Sequence, residues 1–378
     1  MSRRWLAIGV AVLVVAGVAA VVVALTGSSR EGPAPSEGES EPPVAAGVYA
    51  YMKIEFGQNL LDTQGEMVVM DGAEQIGSAP FSALGTRPVF TDDGQYAYTL
   101  LFGDELSVVS AETGEVVSAP CEGCSDRQLE CQCQTVVPFG DSRIAWLDDD
   151  HHVVHMDLAA ESPEPQQTDT TLPTEDGFLD EQVSPNLIAG TDGAALAAYP
   201  GGLPGDDLMP AYLVTLDDEP RRLDSDRPDS VEEAVFSPDG SHVALTGNQE
   251  RACATVTVVD VASGEGETAP VSAEPGTECD DHDVYIDGLW WDLDDALNVY
   301  FQADEDDSTA EDDSATEDGQ RRLEGDRWVE SDAGPAEEVR QLRAGATAVL
   351  DDWTLSIETD SQRTEIDTDV RYVAVAPS

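Results

Sequence analysis

The sequence predicts an all-β ring of repeated four-stranded units, preceded by one N-terminal transmembrane helix. Three observations carry this reading: an uninterrupted apolar run at residues 5–25, a strand–turn–strand pattern recurring about every fifty residues, and 77 Asp+Glu against 18 Lys+Arg. The resulting net charge of −59 over 378 residues excludes a nucleic-acid partner, because phosphate contacts need clustered cations. Apolar residues at 41% supply a real core, so the chain is not disordered throughout. Lys53 is the sole lysine, and every other cation is an arginine.

The run WLAIGVAVLVVAGVAAVVVAL at residues 5–25 contains no charge. As a helix rising 1.5 Å per residue it spans roughly 30 Å, the hydrocarbon thickness of a bilayer. Arg3 and Arg4 precede it and hold the N-terminus in the cytoplasm by the positive-inside bias. Residues 1–25 therefore read as a cytoplasmic N-terminus and signal-anchor helix, with the remainder on the extracytoplasmic side. A cleaved signal peptide, which would make the protein secreted, is the competing reading, although signal h-regions are usually shorter. Residues 26–46, rich in Gly, Ser, Pro and Glu, lack the apolar residues that offset ordering entropy and read as a semi-extended linker.

The self-similarity lies in residues 47–378. Val235-Phe236-Ser237-Pro238-Asp239-Gly240 leads into His242-Val243-Ala244-Leu245, and Val256 to Asp260 supplies a further strand. Pro238 presets φ for a tight turn, and Gly240 can adopt the left-handed angle that other residues resist. An earlier copy reads Val89-Phe90-Thr91-Asp92-Asp93-Gly94, followed by Tyr96-Ala97-Tyr98. Weaker copies leave turn positions at Gly94, Asp141, Gly193, Gly240, Asp295 and Gly345, spaced by 47, 52, 47, 55 and 50 residues. Six units of four strands are thus visible.

A seventh unit is divided between the two ends of the sequence. Tyr372-Val373-Ala374-Val375 reads as a first strand, while residues 48–54, 66–70 and 75–77 supply three strands without a first. Joining them closes a seven-bladed β-propeller by a 1+3 arrangement of terminal strands. Closure removes the exposed sheet edge that invites aggregation. The signature Phe236-Ser237-Pro238-Asp239-Gly240 with Val243-Ala244-Leu245 resembles the WD40-like repeats of TolB-type β-propellers. That resemblance implies the fold, and a role as an interaction platform or as an accessory domain of a peptidase.

Cys121, Cys124, Cys131 and Cys133 cluster within thirteen residues, and Cys253 and Cys279 stand apart. Four clustered thiolates can hold structural zinc, but an even count outside the membrane reads more naturally as disulfides. Pairing among the four clustered cysteines is left open; Cys253 and Cys279, at the same end of one unit, are expected to pair. His151, His152 and His155 read as ordinary strand residues, since on a strand His151 and His155 would lie ~13 Å apart. Residues 304–318 hold nine carboxylates and no cation, yet lack the Gly and Glu positions of a calcium loop. A solvated loop is the expectation there, with loose divalent-cation binding as the alternative.

No nucleophile elbow, dinucleotide fingerprint, P-loop or HExxH motif is present, so no catalytic, cofactor-binding or metal residue is assigned. The long insertions fall after second and fourth strands, which open on one face because strands alternate in direction. The sequence therefore predicts a membrane-anchored, extracytoplasmic binding or scaffold module. An acidic long-loop face would meet a protein or small-molecule partner. The alternative is a propeller hydrolase or lactonase with a metal in the central channel.

Overall fold

The computed structural model describes residues 47–55, 64–82, 87–101, 104–124, 135–173, 185–199, 210–216, 218–223, 231, 233–246, 254–271, 284–292, 294–303, 319–325, 327–331, 338–359 and 362–377. The expected membrane helix and linker lie outside them, as does the acidic segment 304–318.

Twenty-eight strands form seven antiparallel four-stranded sheets, a seven-bladed β-propeller. Blades 1 to 6 occupy residues 89–120, 137–171, 186–222, 233–271, 284–330 and 338–368. Blade 7 pairs Val370–Val375 with Val48–Glu55, then Gln64–Asp71 and Glu74–Ser82. This is the predicted 1+3 closure. Tyr51 faces Val373, and Tyr49 faces Val375 across the joint.

Local chemistry sets the repeated turns. In blade 4 the Gly240 amide donates to Ser237 O at 2.8 Å, with Gly240 at φ 69°. Asp239 accepts from the Ser241 amide at 2.9 Å and from Ser237 Oγ at 2.7 Å. Those bonds hold its carboxyl near pKa 2, since they are stronger to the charged form. Blade 1 repeats the arrangement with different letters. Gly94 donates to Thr91 O, Thr91 Oγ1 donates to Asp93, and the Gln95 amide donates to Asp93. Threonine replaces serine as the hydroxyl, and a second aspartate takes the proline position.

The core is distributed between the blades. Blades 1 and 2 share Tyr98, Leu100, Trp146 and Met156. Phe139, Leu147, Tyr199 and Tyr212 join blades 2 and 3. Tyr49, Tyr51, Leu350 and Ile357 join blades 6 and 7. Each fully buried side chain of this size stabilises by roughly 1.5–3 kcal/mol relative to exposure. Successive seams therefore do the work of one central core. Among the described residues no comparable apolar cluster joins blades 5 and 6.

One sequence expectation is corrected, and one left open is narrowed. His151 is not a strand residue: it sits in the turn before His152–Asp157 with φ 64°, donating its amide to Asp148 O at 3.0 Å. The clustered cysteines resolve locally into a bonded pair, Cys121 with Cys124, buried in the seam between blades 1 and 2. Cys131, Cys133, Cys253 and Cys279 fall outside the described residues.

Candidate functional site: the long-loop mouth of the channel

Strand order assigns the connections to the two ends of the ring. Those between strands two and three, and between blades, lie at one end. Six of them span 10 to 16 residues: 121–136, 172–185, 199–210, 223–232, 272–283 and 304–318. At the other end the longest connection is the eight residues 158–165. The chain enters the ring at this short-loop end, where Gly47 O accepts from the Gly72 amide at 3.1 Å.

The first strands run from the long-loop end toward the short-loop end, so residues at their starts line one mouth of the channel. Arg87, just before the first strand of blade 1 (Val89–Phe90), reaches three other blades. Its Nη1 lies 2.6 Å from Glu233 Oε1 at the start of blade 4. Its Nη2 donates to Asp287 O of blade 5 at 3.3 Å, and its guanidinium stands 5.2 Å from the centre of the Tyr372 ring of blade 7. A side chain from blade 1 that touches blades 4, 5 and 7 sits on the ring axis. Its 40% exposure is therefore to the lumen. Attraction to Glu233, outweighing the cost of burial, raises the Arg87 pKa further and keeps it charged.

Blade 6 adds a second pair. Glu338 Oε1 lies 2.5 Å from Arg340 Nη2, with the side chains only 14% and 16% exposed. The other carboxylate oxygen of Glu338 accepts from the Val373 amide of blade 7 at 3.3 Å. Arg340 lies over the Trp290 ring of blade 5, 4.6 Å from its centre. Burial pulls the Arg340 pKa down, partly offset by Glu338, and the nearby Arg87 pulls in the same direction as burial.

Two β-bulges re-aim backbone at this mouth. The register skips Asp287 between Ile286 and Gly288, and it skips Arg371 between Val370 and Tyr372. A bulge residue is left out of the ladder and bends its strand. Here Asp287 turns its carbonyl to Arg87, and Arg371 is exposed with its guanidinium 5.3 Å from the Tyr372 ring centre.

None of these residues was identified from sequence. The available signal was registration of the repeats, which places Arg87, Glu233, Glu338 and Arg371 one or two positions before a Val or Tyr of the first strands of blades 1, 4, 6 and 7. The aspartates of the short-loop end, Asp92 and Asp93, serve a structural purpose. Asp92 accepts from the Gly140 amide at 2.6 Å and Asp93 from Ser142 Oγ at 2.5 Å, tying blade 1 to blade 2. Among the described residues no group of three or more His, Cys, Asp or Glu is arranged to hold a metal ion.

No family model and no curated protein matches the sequence. Solved structures resemble it at the level of fold. A propeller from Bacteroides fragilis, described as a candidate 6-phosphogluconolactonase, is 11% identical with TM-score 0.50, covering 89% of this chain and 99% of its own. The propeller domain of the trilobed protease from Pyrococcus furiosus is 12% identical with TM-score 0.49, covering 87% and 94%. TolB from Acinetobacter baumannii is 12% identical with TM-score 0.45, covering 89% and 68%. The chain is a seven-bladed β-propeller whose resemblance to TolB-type and WD40-like propellers is one of fold.

Proposed function

We propose that the protein is a membrane-anchored, extracytoplasmic binding or scaffold module that engages its partner through the long-loop end of the ring. One observation carries the reading: every connection of ten or more residues lies at that end. Repeat folds collect insertions on the face that meets a ligand, because the framework tolerates length there without disturbing its seams. The chain enters the ring at the opposite end, at Gly47. With nine carboxylates in 304–318, that end favours a basic partner surface and weak divalent-cation association.

The second reading, a hydrolase or lactonase using a channel metal, needs convergent oxygen or nitrogen donors on the axis. Among the described residues, Glu233 and Glu338 at the mouth are each committed to an arginine. That arrangement favours binding over metal-assisted hydrolysis.

The partner test replaces residues 200–209 or 304–318 by Gly-Ser segments of equal length and measures capture of the native partner by cross-linking on intact cells. Loss of capture is expected from the long-loop replacements, with Asp141→Ser at the short-loop end neutral. The opposite pattern would refute the assignment of the face. Protease applied to intact cells should degrade the propeller; full protection would refute the extracytoplasmic placement.

A further inference from the structure

Trp353 stands where the backbone favours glycine. With Asp352 it forms the two-residue loop between the second and third strands of blade 6, Thr347–Asp351 and Thr354–Thr359, and Asp351 pairs with Thr354 across it. Both loop residues are left-handed, Asp352 at φ 46° and Trp353 at φ 63°. Such a loop prefers Asn-Gly or Asp-Gly, because a bulky side chain crowds its own backbone at positive φ. Blade 3 follows that preference. Between the paired Thr191 and Ala194, the second loop position is Gly193 at φ 72°.

Burial does not explain the exception. Trp353 is 39% exposed, and Tyr285 near the start of blade 5 is 54% exposed. Among the described residues these are the exposed aromatic side chains, and both lie at the long-loop end of the ring. A strained, solvent-facing residue of this size points to contact with something outside the fold.

The surroundings specify the charge of that contact. Asp352 adjoins Trp353 in the chain, and the Val370 amide donates to Trp353 O at 3.0 Å, which brings Asp369 alongside. Asp352 and Asp369 are exposed, and Asp369 Oδ2 accepts from Thr368 Oγ1 at 3.5 Å. Of the arginines nearby in the chain, Arg363 pairs with Asp351 and Glu358, and Arg371 lies by the Tyr372 ring.

We propose that Trp353, with Asp352 and Asp369 beside it, receives an arginine side chain from the partner's basic surface. The proposal rests on the long-loop end being the partner face. A guanidinium can stack on indole while donating to a carboxylate in its own plane, and it sheds water more readily than an ammonium. A neutral sugar also stacks on tryptophan, but it would leave the two carboxylates without a countercharge.

The experiment follows the indole N–H signals of the six tryptophans by NMR, in the full-length protein held in neutral detergent micelles. The probes are capped tetra-arginine, capped tetralysine and a neutral maltosaccharide at near-physiological salt. Tetra-arginine should shift one indole signal saturably, and that signal should be the one missing from Trp353→Gly. Because glycine relieves the left-handed strain, Trp353→Gly should fold at least as stably. By calorimetry it should bind tetra-arginine roughly fivefold more weakly. Trp353→Tyr, which restores an aromatic face, should recover most of that loss. Asp352→Asn and Asp369→Asn tolerate positive φ and should each weaken binding severalfold. An unmoved Trp353 signal, an equal shift with tetralysine, or a shift with the maltosaccharide instead would each overturn the proposal. So would a marked loss of stability in Trp353→Gly, which would assign the indole to the fold. Partner capture on intact cells keeps the two proposals distinct. Capture lost on replacing 200–209 or 304–318 but unchanged in Trp353→Gly would refute the arginine site and leave the partner face standing.

Discussion

The seam between blades 1 and 2 and the seam between blades 5 and 6 close the same ring by different physics. The first is apolar, with Trp146, Tyr98, Leu100, Leu106, Ile144 and Met156 all at 1% exposure or less. Even its Trp146 indole is satisfied, donating to Glu122 O at 3.1 Å. The second gathers Trp290 under Arg340, with Asn298 and Gln320 buried on neighbouring strands of blade 5 and Ser356 in blade 6. Leu297, Val299 and Phe301 face blade 4, so strand alternation turns Asn298 and Tyr300 the other way, toward blade 6. Dispersion and water exclusion hold the first seam. At the second, the Arg340 guanidinium of blade 6 stacks on Trp290 of blade 5 beside the charged channel mouth.

The largest expected effect comes from opening the ring altogether. Deleting residues 371–378 removes most of the first strand of blade 7 and exposes both a seam and a sheet edge. Loss of a single cooperative unfolding transition is expected; an unchanged melting temperature would refute the closure account.

Within the intact ring, Trp146→Ala should cost about 3–5 kcal/mol in urea denaturation, from lost transfer energy and the cavity left behind. A cost below about 1 kcal/mol would mean the apolar seam collapses freely and is not what holds blades 1 and 2 together.

The polar seam should respond more weakly and in two directions. Glu338→Gln leaves Arg340 without its carboxylate and is expected to cost about 2–3 kcal/mol, less than a fully dry pair because both side chains keep some exposure. The double change Glu338→Leu with Arg340→Met should be nearly neutral or stabilising, since it removes two dehydrated charges together. If the double variant were less stable than Glu338→Gln alone, the ion pair would be the principal glue of that seam.

The smallest effect is a pH dependence at the short-loop end of the apolar seam. Burial raises the Asp92 carboxyl to about 6, against 3.8 for the unperturbed group, despite the Gly140 hydrogen bond. The folded state then binds a proton that the unfolded state has already released, so stability falls as pH rises between about 4 and 6. Asp92→Asn keeps an acceptor for Gly140 and should be the more stable protein at pH 7.5, by on the order of 1 kcal/mol. The two proteins should converge below about pH 4. A constant difference between them at all pH values would remove the titration from the explanation.

The sequence made the repeat legible because its signals are local. A turn such as 237–241 needs a hydroxyl, an aspartate and a left-handed glycine within five positions, and Thr91, Asp93 and Gly94 meet the same need in blade 1. The divided seventh blade was legible by counting, since three strands lacked a first and one strand lacked the rest. His151 was misplaced because a turn residue and a strand residue look alike when neither Gly nor Pro marks the boundary.

By itself, then, the sequence determined the strand period, the blade count and the end at which the long connections gather, because each follows from interactions within about fifty residues. The closure, which pairs Tyr51 with Val373, was legible only by counting strands. Only the tertiary structure decided the channel mouth. Arg87 and Glu233 are 146 positions apart, and Arg87 and Tyr372 are separated almost by the length of the ring. They meet because seven blades turning about one axis bring every first strand to the same lumen. Which side chains face one another there depends on blade number and on bulges at Asp287 and Arg371, neither of which has a local signature.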